Sequence, residues 1–181
     1  PALLYGVTGS GKTEIYLRLI EQCLADNKTA LVLVPEIALT PQLSGQFRGR
    51  FGDQVATFHS GLSPAERRDE WQRVANGDAK IGVGARSALW LPMHNVGVII
   101  VDEEHEASFK QDEQPRYHAR DLAIFRAREE QALVVLGSAT PSFESYQNAK
   151  IGRYHLLRLP NRIGKRPMPQ ACVVDMVSAE K

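Results

Sequence analysis

The chain has 181 residues, with 22 Lys and Arg against 21 Asp and Glu, a formal net charge of +1. A hydrophobic fraction of 43% beside 24% charged residues belongs to a globular domain that buries about 70% of its unfolded surface, and average usage of Gly, at 14, and Pro, at 10, excludes collagenous and low-complexity classes. Cys23 and Cys172 stand far apart with no CxxC spacing, so neither a disulfide framework nor a zinc site is expected within the chain, and a reducing cytoplasmic setting is the default.

In chain order, Pro1 to Gly6 opens without Met or a basic leader, already in an apolar strand over 2–6, so the chain is expected to be a piece of a longer protein. That strand runs into Gly6-Val7-Thr8-Gly9-Ser10-Gly11-Lys12-Thr13, a G-x-x-x-x-G-K-[ST] loop, and then a helix with Ile15, Leu19, Ile20 and Cys23 at helical spacing. Glycines there let successive backbone N–H groups point into one concavity at a helix N-terminus, where partial positive charge favours phosphate oxygens. Lys12 supplies a mobile charge for the β and γ phosphates, and Thr13 a hydroxyl for Mg²⁺.

Further strands are expected over 30–35, 54–59, 80–85, 96–102 and 132–138, each followed by a helix or turn, which is the pattern of an α/β fold with a mainly parallel sheet. Thr40-Pro41 and Ser63-Pro64-Ala65-Glu66 are helix starts, the second a capping box, and Asn76-Gly77 ends the helix it opens. Thr40 reads first as an N-cap, a duty compatible with holding a DNA phosphate. Trp71, on the capped helix, reads as packing rather than base stacking. Arg86 and Ser87 follow the strand over 80–85 at the sheet edge where ligands sit. The strand over 96–102 delivers Asp102-Glu103-Glu104-His105 at its C-terminal end, where Asp102 is placed to hold Mg²⁺ through water and Glu103 to orient and deprotonate an attacking water.

Phe109 to Arg120 is polar, contains Pro115 and interleaves aromatic with basic residues; no core face fits it, and it reads either as an exposed loop or as an element that stacks on single-stranded DNA. Ser138 and Thr140 follow the last strand and serve equally well as turn residues before Pro141. Residues 159–169 read as a connector and Ala171 to Val177 as a final strand, so a lobe over 1–158 is expected to be followed by a basic connector and strand over 159–181. Lys150, Arg153, Arg158, Arg162, Lys165 and Arg166 follow one another with no acid between Glu144 and Asp175, as either a solvated linker or a nucleic-acid-facing stripe. The apolar runs are strand-sized and too short to span a bilayer.

With Gly6 to Thr13, Asp102 to His105 and Gly137-Ser138-Ala139-Thr140-Pro141 in this order, the chain resembles the first RecA-like lobe of a superfamily 2 helicase. Leu33 to Gln42, His59 to Ser63 and Gly84 to Ala88 resemble segments of the PriA family of replication-restart DNA helicases, over essentially the whole chain. The resemblance implies a RecA-like P-loop NTPase lobe with helices on both faces of the sheet, using ATP or ADP with Mg²⁺ in 3′ to 5′ movement on DNA. Lys12 and Thr13 would serve the phosphates and Mg²⁺, and Asp102 and Glu103 would be the Mg²⁺ and water-activating acids. His105, Ser138 and Thr140 would couple nucleotide state to DNA contact, and Thr40, Arg86, Ser87, Phe109, Arg116 and Tyr117 would line the DNA path. It further implies single-stranded and forked DNA, primosome proteins and single-stranded DNA-binding protein as partners, in the bacterial cytoplasm at the nucleoid. Zinc is expected in the full-length family but not on this chain. The second lobe, the family's N-terminal DNA-binding region and an upstream adenine-reading segment are expected outside these residues, leaving the fragment nearly inactive by itself.

Overall fold

Nearly continuous apolar runs form the middle of the sheet because both of its faces are covered. A computed structural model describes residues 1–39 and 41–165; Thr40 and the strand expected at Ala171 to Val177 lie outside them. The elements are β1 (Ala2–Gly6), α1 (Lys12–Ala25), β2 (Thr29–Leu33), α2 (Pro41–Phe51), β3 (Val55–Phe58), α3 (Pro64–Ala75), β4 (Ile81–Gly84) and β5 (Val96–Asp102). Then come the short pair β6 (Lys110–Gln111) and β7 (Tyr117–His118), α4 (Ala119–Glu129), β8 (Leu133–Ser138), α5 (Phe143–Lys150) and β9 (His155–Leu159).

Seven of these strands make one parallel sheet in the order β3-β4-β2-β5-β8-β1-β9. Alternation along β2 and β5 sends Leu31, Leu33, Ile99 and Val101 into one core with Val74 of α3, Ala119, Ala123 and Ala127 of α4, and Ala149 of α5. Ala30, Val32, Val98 and Ile100 enter the other core, with Tyr16, Ile20 and Cys23 of α1 and Phe47 and Phe51 of α2. Each such fully buried Leu or Ile stabilises the fold by about 1.5–3 kcal/mol relative to exposure. The expected helices on both faces are therefore present, and no described helix is long and apolar enough to cross a membrane.

Local signals in the sequence are met where they are contiguous. Ser63 Oγ accepts from Glu66 N at 3.3 Å while Glu66 Oε2 accepts from Ser63 N at 2.8 Å, closing the capping box, and Gly77 adopts φ 80° just beyond α3. Trp71 sits edge-on to Phe58 with ring centroids 6.4 Å apart while 42% of its surface stays exposed, so it packs against the core from outside rather than within it. The edge strand β9 was not expected. Its residues alternate weakly and are mostly exposed, with His155 and Arg158 interrupting the apolar run, so it carries little periodic signal. Leu159, the first residue of the expected connector, is the last residue of this strand and pairs with Gly6.

Candidate functional site

The C-terminal ends of β1, β5 and β8 lie side by side, so the phosphate loop, the acidic segment and the Ser138 to Thr140 turn converge at one edge of the sheet. Gly9 and Gly11 hold φ of 79° and 92°, left-handed values that favour glycine and let the loop bend back over the start of α1. Ser10 N donates to Val7 O at 3.0 Å, and Lys12, only 9% exposed, donates Nζ to Gly6 O at 2.9 Å. A cavity of about 320 Å³ is bounded by Thr8, Gly9, Ser10, Gly11, Lys12 and Thr13 on one side and by Asp102 and Glu103 on the other. Ser10 Oγ is buried there with no hydrogen-bond partner. An unsatisfied hydroxyl, a cradle of glycines and a lysine facing two acids are the donor set that fits a nucleotide polyphosphate with its divalent cation.

Asp102 ends β5 half-buried and accepts a hydrogen bond from Tyr16 Oη at 2.8 Å. Burial pushes its carboxyl above the ordinary range, against the opposing pull of that hydrogen bond and of Lys12. Burial, then the Asp102 charge, push the Tyr16 hydroxyl far up, so it remains a donor. Glu103 is likewise raised, by burial first and by Asp102 second, with Lys12 and His105 opposing. Its ion contacts are loose: 3.9 Å to Lys12 Nζ and 3.7 Å to His105 Nδ1. Glu103 takes φ 47°, and this left-handed turn ends the strand.

The next carboxylate, Glu104, is fully buried and saturated. It accepts from Ser142 N at 2.7 Å, Ser142 Oγ at 3.0 Å, Ser145 Oγ at 2.7 Å and Arg120 Nη1 at 3.1 Å. Sequence reasoning assigned Glu104 no role of its own and missed Tyr16, Arg120, Ser142 and Ser145. Tyr16 was legible in part, since Lys12, Tyr16, Ile20 and Cys23 form the buried stripe of α1, rotated from the stripe read through Ile15 and Leu19.

The three expected coupling residues do meet. His105 Nδ1 lies 2.8 Å from Ser138 Oγ and His105 Nε2 lies 3.3 Å from Thr140 Oγ1, while Thr140 N donates to Ser138 Oγ at 2.9 Å. Through His105, this turn reaches Glu103.

The residues expected on a DNA path divide. Arg86 and Ser87, with Glu36, Ser60, Arg67 of α3 and Ser108, line a cavity of about 370 Å³ beyond the ends of β2 and β4. Arg86 Nη1 also donates to the carbonyls of Ser108, at 3.3 Å, and Lys110, tying this turn to the segment after the acidic motif. Arg116 is exposed, its Nε donating to Asp112 O at 3.0 Å, and Tyr117 stands edge-on to Trp90, whose Nε1 donates to Tyr117 Oη at 3.2 Å. Phe109 departs from expectation: at 1% exposure it belongs to the core with Ala119 and Ala123 and is no stacking platform. The Ala107–Phe109 turn folds its ring inward, anchoring the segment rather than presenting it. The described part of the basic stretch does not trail away either, since Val7 N donates to Leu159 O at 3.2 Å and Ile163 N to Gly9 O at 3.0 Å.

The chain is 58% identical over 174 residues to the replication restart protein PriA of Bacillus subtilis and 50% identical over 179 residues to that of Synechocystis, covering 96% of this chain in both cases. It spans 22% of the length of each, about a fifth of these curated relatives. Among solved structures, the Hef helicase domain of Pyrococcus furiosus superposes with a TM-score of 0.60 at 25% identity, over 88% of this chain and 34% of that one. RecG bound to a three-way DNA junction gives a TM-score of 0.62 at 21% identity, over 92% of this chain and 21% of that one, a likeness of fold. The DEAD/DEAH box helicase sequence model matches residues 2–149, and the chain belongs to that family.

Proposed function

We propose that the chain is the first motor lobe of an ATP-dependent DNA helicase that moves 3′ to 5′ and acts at stalled replication forks in replication restart and primosome assembly. The observation that carries this reading is the polyphosphate cradle facing two acids, one of which contacts, through His105, the Ser138 to Thr140 turn. Identity of 58% to a replication restart protein over 96% of the chain supports the biological setting.

ATP supplies the anhydride to be cleaved and Mg²⁺ neutralises its charge; the remaining work belongs to side chains. The loop N–H groups, Ser10 and Lys12 orient the phosphates. Thr13 and Asp102 would hold the cation, with Tyr16 aiming the Asp102 carboxylate. Glu103, raised in pKa and loosely paired, is the base that orients and deprotonates the attacking water. His105 senses the state of Glu103 and passes it to Ser138 and Thr140. Single-stranded DNA would lie along Arg86, Ser87, Arg116 and Tyr117, with Thr40 as a further phosphate contact. Forked DNA, primosome proteins and single-stranded DNA-binding protein are the partners proposed, and the bacterial cytoplasm at the nucleoid the location. A second lobe would supply an arginine finger, worth about 10³–10⁵ in rate in P-loop enzymes, so this lobe alone should bind nucleotide weakly and hydrolyse it very slowly.

The test uses the full-length protein on forks with a 3′ or a 5′ single-stranded tail. Glu103→Gln should retain ATP binding while losing hydrolysis and unwinding by about 10²–10⁴-fold. A Glu103→Gln protein that still restarts forks would indicate an ATP-gated docking module, and stimulation by double-stranded DNA alone a duplex translocase.

A further inference from the structure

A nucleotide at this loop needs a wall for its nucleoside as well as a cradle for its phosphates. The acids define the phosphate end: the cavity holding Thr13, Asp102 and Glu103 has Ile163 as a further wall. Beside it a second cavity, of about 390 Å³, is lined by Thr8, Gly9, Arg162 and Ile163 and by neither acid. Sheet order explains the polarity. β5, with its acids, lies on one side of β1 beyond β8, and β9, which leads into residues 160–163, lies on the other. A nucleotide whose γ-phosphate meets Glu103 therefore extends its sugar and base toward residues 162–163.

The strap is pinned by the two backbone hydrogen bonds already described, and the Ile163 Cδ1 atom sits 2.9 Å from where a Cβ on Gly11 would be. Two of its side chains are otherwise hard to account for. Ile163 leaves 66% of its surface exposed at the mouth of the site. Arg162 Nε is buried with no hydrogen-bond partner, and a buried charged donor without an acceptor is costly. A planar fork of donors beside an apolar face suits a ribose and a purine.

We infer that Arg162 and Ile163 form the nucleoside-side wall of the ATP site, with Ile163 against the base and Arg162 donating to the ribose. This rests on the reading of the loop as an ATP site, and it takes Arg162 from the basic stretch and gives it to the nucleotide rather than to DNA.

Isothermal titration of the full-length protein with Mg²⁺ and unmodified ADP, and separately with pyrophosphate, tests the inference. Arg162→Ala and Ile163→Ala should each weaken ADP about tenfold and raise KM for ATP more than they lower kcat, with pyrophosphate affinity unchanged. Arg162→Lys, which keeps the charge and loses the fork, should fall between wild type and Arg162→Ala and serves if Arg162→Ala does not fold. ADP affinity unchanged in all three variants would overturn the wall, as would parallel losses of ADP and pyrophosphate, or a loss of DNA affinity alone. Lys12→Ala separates the two readings: if it leaves both ligands bound as in wild type, the ATP-site assignment itself fails.

Discussion

Two carboxylates leave β5 side by side and meet different surroundings. Glu103 turns toward the phosphate-loop cavity, its nearest charged partners at 3.7 and 3.9 Å, whereas Glu104 turns into the protein and is saturated by Arg120, Ser142 and Ser145. A buried charge is tolerated when every acceptor site is filled, and such a group serves as a fastener. A charge left partly satisfied keeps its capacity for a new partner and suits chemistry. The same residue type thus meets two settings one position apart, and the left-handed turn at Glu103 marks where the chain switches between them.

Among the largest expected effects is that of Gly137→Ala, because its Cβ would stand 1.7 Å from Tyr16 Oη and drive the tyrosine off Asp102. We expect a loss at or beyond the upper end of the usual overpacking range of about 1–3 kcal/mol, read as a collapsed unfolding midpoint. Adding Tyr16→Phe should restore part of it by removing the clashing oxygen; absence of any rescue would show that the clash is not the cause.

Glu104→Ala strips the buried Arg120 guanidinium of its fully buried carboxylate partner, leaving it Asp121 and Ser142, removes an acceptor from Ser142 and Ser145 as well, and should cost about 3–5 kcal/mol in denaturant unfolding. Glu103→Gln should stay within about 0.5 kcal/mol of wild type, since its contacts to Lys12 and His105, at 3.9 and 3.7 Å, are loose. Equal losses at the two positions would break the comparison.

Tyr16→Phe sharpens the cavity side. A hydrogen bond to a charged group is worth about 1.5–3 kcal/mol, and without it the already raised Asp102 carboxyl should climb further. Nuclear magnetic resonance titration of Asp102 would detect the climb, and no movement would mean that the bond is not made in solution.

The smallest effect concerns His118, just ahead of Arg120. Burial first, then the Arg120 charge, lower its pKa from 6.5, with Asp121, Glu104 and Glu144 opposing. Because the unfolded state takes up the proton first, stability should be full above pH 6.5 and decline as pH falls through the interval below it. His118→Gln should flatten that slope in urea titrations; an unchanged slope would assign it elsewhere.

Much of the site was legible because its parts are contiguous. The phosphate loop is one run of residues between a strand and a helix, and Asp102 and Glu103 end a single apolar strand, so periodicity and glycine placement locate them without knowledge of the fold. Phe109 misled for the opposite reason: most of its neighbours in sequence are polar, and the core that receives it is assembled from elements far apart in the chain, among them β2, β5, α3 and α4. β9 was missed because an exposed edge strand needs no apolar alternation.

From the sequence alone follow six of the seven strands of the sheet, the starts of α1, α2 and α3, and the placement of the phosphate-loop motif between a strand and a helix, each of which depends on residues within about two turns of one another. Tertiary structure alone decided that Tyr16 orients Asp102 across 86 positions, that Glu104 is locked by residues 16 to 41 positions onward, and that Arg162 and Ile163 return over the phosphate loop. The reason is sheet order: β1 lies between β8 and β9, so partners far apart in the chain become neighbours only once the strands have been laid in that sequence.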